Sequence, residues 1–143
     1  MNAEHSHDMS DHPRPPTPPE PHRSPLHAVG ADRTLRLGSE IVTQHLEVAD
    51  RMLSRMRGLL GRRSLASDQG LWITPCPSIH MMFMRFPIDA VFLDDDLTVV
   101  RVHSDVRPWG MARGGRHAKS VLELPAGKAV SCNISIGDRL TID

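Results

Sequence analysis

Between Arg33 and Val48 apolar and polar positions alternate in part. Leu35, Leu37, Val42, Leu46 and Val48 are set against Thr43, His45 and Glu47. This predicts a half-buried strand or hairpin that turns at Gly38-Ser39. The period then changes. Met52, Leu53, Met56, Leu59 and Leu60 recur at helical spacing behind Asp50 as N-cap and ahead of Gly61 as stop. That spacing predicts an amphipathic helix of about ten residues. Gly70-Leu71-Trp72-Ile73-Thr74 reads as a short strand ended by Pro75 and Pro77. Ile79 to Phe86 reads as an apolar strand. Ala90–Leu93 and Leu97–Val102, joined by Asp94-Asp95-Asp96, form the clearest hairpin. Residues 104–119 read as a long loop rich in Gly and Arg. Val121–Leu124 is a strand stopped by Pro125, and a short irregular or helical stretch runs to Asn133. Gly137-Asp138 turns into a last strand, Arg139–Ile142. The expected class is mostly β (α+β): a small antiparallel, barrel-like sheet with one or two short helices.

Composition divides the chain. Residues 1–30 hold seven of the 12 prolines and five of the nine histidines, with almost no large apolar residue beyond Leu26 and Val29. Pro-Pro pairs at 15–16 and 18–19 favour extended backbone. Such a segment buries too little surface to offset its ordering entropy, so it is expected to be a disordered Pro/His-rich tail. Residues 31–143 are then expected to form one globular domain. Lys plus Arg and Asp plus Glu both number 17. A chain of zero formal charge has no overall field to draw in nucleic acid or an anionic membrane. No apolar run is long enough to span a bilayer, and the N-terminus lacks the features of a secretory signal. The expectation is a cytoplasmic protein in which Cys76 and Cys132 are free thiols.

Five motifs occur in order: Arg57-Gly58-Leu59-Leu60-Gly61-Arg62; Gly70-Leu71-Trp72; Phe86-Pro87-Ile88-Asp89-Ala90-Val91-Phe92-Leu93-Asp94; Val121-Leu122-Glu123-Leu124-Pro125-Ala126-Gly127; and Gly137-Asp138-Arg139-Leu140. Over about residues 40–143 the chain resembles the bacterial and archaeal family known as domain of unknown function 192. The resemblance implies a compact β-rich domain and supplies no activity. A common family pattern before Pro87 has a tryptophan followed by Met-Lys-Asn-Thr. Here the stretch is Ile79-His80-Met81-Met82-Phe83-Met84-Arg85, so a polar role of that Asn or Thr does not transfer.

Candidate chemistry falls into four groups. Cys76 and His80, with Met82 and Met84, offer ligands suited to a soft metal, Cu or Zn. Methionines also fill irregular core gaps. No Cys-x-x-Cys pair supports a metal, so packing is the expectation and no cofactor is expected. Asp89, paired with Arg85 or an arginine of the 104–119 loop, could orient a ligand or act as a general base. Alternatively its carboxylate accepts backbone N–H bonds and locks the chain locally. Residues 110–117 approach a phosphate loop, but Arg116 and His117 stand where Lys and Ser or Thr are needed. That loop still carries Arg107, Arg113, Arg116, His117 and Lys119, with Trp109 as its one stacking residue. Asp94-Asp95-Asp96 lacks the spacing of a calcium loop and reads as a solvated turn.

No nucleophile, base and orienting group can be assembled from these residues. The chain is therefore expected to be a non-enzymatic accessory module. It would bind a small ligand or a protein partner through Asp89, Arg85, Trp109, Arg113 and Arg116. The alternatives are a small metal-binding protein or enzyme centred on Cys76, His80 and Asp89, and an anion or nucleic-acid binder built on the arginine clusters.

Overall fold

The computed structural model describes residues 32–49, 59 and 61–143. The predicted helix behind Asp50 and the predicted tail lie outside these residues. Among the described residues nine strands are present: β1 (Arg33–Leu37), β2 (Glu40–Ala49), β3 (Gln69–Ile73), β4 (Ser78–His80), β5 (Ile88–Leu93), β6 (Val99–Val106), β7 (Met111–Arg113), β8 (Ser120–Pro125) and β9 (Leu140–Ile142). A short helix, α1 (Lys128–Ser131), follows β8. Mostly strand with a curled sheet is the class the residue pattern predicts.

Seven strands form one sheet in the order β6-β5-β8-β3-β2-β1-β9. Neighbours are antiparallel except for β2 and β3, which run parallel. A parallel pair needs a crossover, and it falls between Ala49 and Gln69. The sheet curls until its edges meet at one corner. Thr98 bridges Arg139, the Leu140 N–H donates to the Leu97 carbonyl, and the Val99 N–H donates to the Asp138 carbonyl. At the far side β9 pairs with β1, and Arg36 Nε donates to Asp143 Oδ2 at 2.9 Å across 107 residues of sequence.

Because both faces of the central strands are covered, all six residues of β5 are buried. One face packs Ile88, Ala90, Phe92, Leu71 and Val121 beneath the second, two-stranded sheet β4–β7. The other packs Val91, Leu93, Leu122 and Leu124 against Leu35 and Leu46 from β1 and β2.

Two readings from the sequence need correction. The apolar run Ile79–Phe86 is not a strand along its length. Strand β4 ends at His80, and Met81–Met84 form a turn. The 104–119 stretch is not all loop. Strand β6 runs to Val106, and β7 lies inside the stretch. The stretch packs closely at Gly114, where an added Cβ would lie 2.5 Å from the Phe92 ring and would also meet Ala118. Gly114→Ala is therefore expected to destabilise the fold by about 1–3 kcal/mol through overpacking, measurable as a lowered midpoint in chemical denaturation.

Candidate functional site

Asp89 is buried in β5, on the same face as Val91 and Leu93. Its Oδ1 accepts the Asp105 N–H at 2.9 Å, and its Oδ2 accepts the Ala129 N–H at 2.9 Å. Asp105 sits in a bulge of β6 at positive φ, where Ile88 and Ala90 pair with Val106 and His103. Ala129 lies in the first turn of α1, whose N-cap Gly127 provides no side-chain bond. One carboxylate thus anchors two irregular backbone segments to the sheet, and it lies in the core rather than on a binding surface. Arg85 is exposed, and the bonds to Asp89 come from backbone N–H groups, not from a loop arginine.

The two residues of the candidate metal pair differ in burial. Cys76 is half-buried against the core, and its Sγ donates to the Ser78 carbonyl at 3.1 Å. His80 is exposed on the outer face of β4, directly opposite Met111 of β7. Among the described residues no three His, Cys, Asp or Glu side chains converge as a metal site requires.

The basic loop also divides. Arg116, His117 and Lys119 line a cleft of about 350 Å³ whose other wall is Asp94, Asp95 and Asp96. The acidic residues offset the cations there. Asp94 Oδ1 is already engaged by the Asp96 and Thr98 N–H groups. Arg113 belongs elsewhere, on the outer face of β7 beside Met111.

That outer face continues into a pair of turns. The Met84 N–H donates to the Met81 carbonyl at 3.2 Å, and the Gly110 N–H donates to the Arg107 carbonyl at 2.9 Å. Each closes a four-residue turn whose third residue is aromatic: Phe83 at φ 64° and Trp109 at φ 68°. Type II turns require positive φ at this place and usually put Gly there, with Pro one position earlier. Pro108 satisfies half of that rule. The turns are laced together, since the Trp109 N–H donates to the Met81 carbonyl at 2.7 Å and the Met81 N–H to the Gly110 carbonyl at 2.8 Å. The rings lie 5.0 Å apart, inclined at 59°. Phe83 is 66% exposed, Trp109 63% and Met111 64%. His103 Nε2 shares a 2.9 Å hydrogen bond with the Arg113 carbonyl, tying this platform to β6.

On the face that β4 and β7 cover, Glu47, Leu71, Glu123, Ala90 and His103 stand in register across β2, β3, β8, β5 and β6. Glu47 takes the Arg62 guanidinium at 2.9 and 2.7 Å. Glu123 is buried. Burial pushes its carboxyl up to about 7, and the charge of Arg62 pulls the other way.

The family model described as Uncharacterized ACR, domain of unknown function 192, matches residues 33–142. The chain belongs to this family. Relatives include the UPF0127 protein of Thermococcus sibiricus, 33% identical over 108 residues that span 71% of this chain and 68% of that one. The UPF0127 protein of Pyrococcus abyssi is 32% identical over 100 residues, spanning 66% of this chain and 83% of that one. A crystal structure of a protein of unknown function from Novosphingobium aromaticivorans shares the fold of this domain of unknown function 192 member. Its TM-score is 0.67 at 22% identity, over 76% of this chain and 82% of that one. Among the described residues no helix is long and apolar enough to cross a membrane.

Proposed function

We propose that the chain is a non-enzymatic accessory module that engages a protein partner through the platform of Phe83, Trp109 and Met111. The observation that carries this is the aromatic pair. Two large side chains stand in water on backbone conformations that favour glycine. Each such residue costs about 1–3 kcal/mol, and strain of this kind is held where it serves a site. An exposed apolar cluster beside arginines is also the composition of a binding hot spot. Arg113 supplies one cation, and Arg107 another, its side chain 83% exposed and its Nε 3.9 Å from Asp105 Oδ2.

Trp109→Gly separates folding from binding. Relief of the positive φ and loss of the ring pair, about 1 kcal/mol, act in opposite directions. The melting temperature is expected to move by only a few degrees. Peptides selected by display against the full chain are expected to bind Trp109→Gly at least 30-fold more weakly, a change of about 2 kcal/mol. Equal binding of the selected peptides to both proteins overturns the reading.

A further inference from the structure

We propose that the occupant of this platform is the chain's own proline-rich segment, Pro13–Pro21, laid across Phe83 and Trp109 as a polyproline II strip. The proposal rests on the platform reading above and names the partner of that surface.

The segment reads Pro13-Arg14-Pro15-Pro16-Thr17-Pro18-Pro19-Glu20-Pro21. A polyproline II helix has three residues per turn, so every third residue shares an edge. One edge is Pro13, Pro16 and Pro19. The second is Pro15, Pro18 and Pro21. The third is polar: Arg14, Thr17 and Glu20. The segment is therefore amphipathic at the polyproline II period, with two apolar edges and one polar edge. Aromatic-lined surfaces recognise such segments, because the extended helix loses little entropy on docking. The platform offers the matching surface. Its rings are inclined rather than stacked, and each leaves about two thirds of its surface open.

Pro13–Pro21 itself is balanced, with Arg14 against Glu20, and the acidic residues Glu4, Asp8 and Asp11 precede it. Near the platform residues in sequence stand the exposed Arg85 and Arg113, and Arg107, whose Nε lies 3.9 Å from Asp105 Oδ2. Reach agrees with this pairing. From Pro21 to Asp32 an extended chain covers up to roughly 36 Å, about the diameter of a small domain. A tether raises the local concentration of the segment wherever its length spans the gap. A contact too weak to hold a free peptide at micromolar concentration is then closed within one chain, and an outside partner must displace it.

The test keeps the full chain. In the variant carrying Pro15→Ser, Pro16→Ser, Pro18→Ser and Pro19→Ser, Trp109 should be uncovered. Its emission should shift to the red, and its quenching by acrylamide should rise at least threefold. The indole Nε1 of Trp72 is buried, so Trp72 provides a constant background. A synthetic peptide of residues 12–22, added to the variant at up to millimolar concentration, should reverse both changes saturably. The same peptide should leave the nuclear magnetic resonance spectrum of the variant unshifted once Trp109→Ala is added. Unchanged quenching together with no saturable peptide response overturns the proposal. So does protection of Trp109 that vanishes on dilution in step with a dimer seen by ultracentrifugation, which would make a second copy the occupant. If display-selected peptides bind through Trp109 but the 12–22 peptide does not, the platform reading stands and this inference falls. If neither binds, both fall.

Discussion

Asp89→Asn should cost about 3 kcal/mol of folding stability, in spite of keeping the size and shape of the side chain. Two backbone N–H groups point at the two carboxylate oxygens, both at 2.9 Å, from the bulge at Asp105 and the first turn of α1. An amide offers one acceptor oxygen and one donor group in their place. Whichever way it turns, one buried N–H faces another donor. A hydrogen bond to a charged group contributes about 1.5–3 kcal/mol, and an orphaned buried donor costs about 1–3. For a domain of this length the loss corresponds to more than about 10 °C in melting temperature. Asp89→Ala, which orphans both donors, should cost more. The check is chemical denaturation of wild type and both variants, with hydrogen exchange at the Asp105 and Ala129 amides. Fast exchange at those two positions is the signature of the lost anchor. Equal stability of wild type and Asp89→Asn would show that the carboxylate is not structural.

The second large effect is pH dependence from Glu123. Its ordinary value of 4.5 is raised to about 7 by burial, with Arg62 opposing the shift. The folded state therefore holds a proton that the unfolded state has released between these two values. Stability is full below about 4.5, falls as pH rises through that window, and levels off above about 7. The displacement is worth about 3 kcal/mol, as an order of magnitude. Glu123→Gln should remove that slope, so that the variant matches wild type near pH 4.5 and exceeds it at pH 8. Arg62→Met should steepen the loss, because it removes the charge that favours the ionised carboxylate. Denaturation midpoints of the three proteins at pH 5, 6.5 and 8 decide it. Parallel profiles for wild type and Glu123→Gln would mean that this carboxyl stays ionised throughout.

Much of the sheet was legible in the sequence. Gly38-Ser39 between two alternating runs marked the hairpin of β1 and β2. The run of three aspartates between β-branched segments marked that of β5 and β6. What stayed hidden was non-local. Met81-Met82-Phe83-Met84 is apolar throughout, and periodicity alone cannot tell a turn of such residues from a strand. The turn at Trp109 was half visible, because Pro108-x-Gly110 is turn chemistry. The aromatic between them stands where the usual rule asks for glycine. Glu123 was hidden for a different reason. Alternation in Val-Leu-Glu-Leu suggests a strand with one wet face. However, β8 lies between β5 and β3 and is covered on both sides. The candidate set therefore came apart in three dimensions. Trp109 and Arg113 belong to the exposed platform, Arg116 faces the aspartates of the cleft, and Asp89 holds up the core.

The pairing of β1 with β9 has a consequence for the order of folding. The sheet's first strand in sequence finds its outer neighbour only at the last strand, with Thr34 and Asp143 exchanging backbone hydrogen bonds at 3.3 and 2.9 Å. Contacts so far apart in sequence form late and slow the whole reaction. During synthesis the hairpin of β1 and β2 leaves the ribosome long before β9 exists. Until then β1 presents an unpaired edge, the kind of surface on which other chains can add. Each newly made copy is most exposed to misassembly in the interval before its last strand arrives.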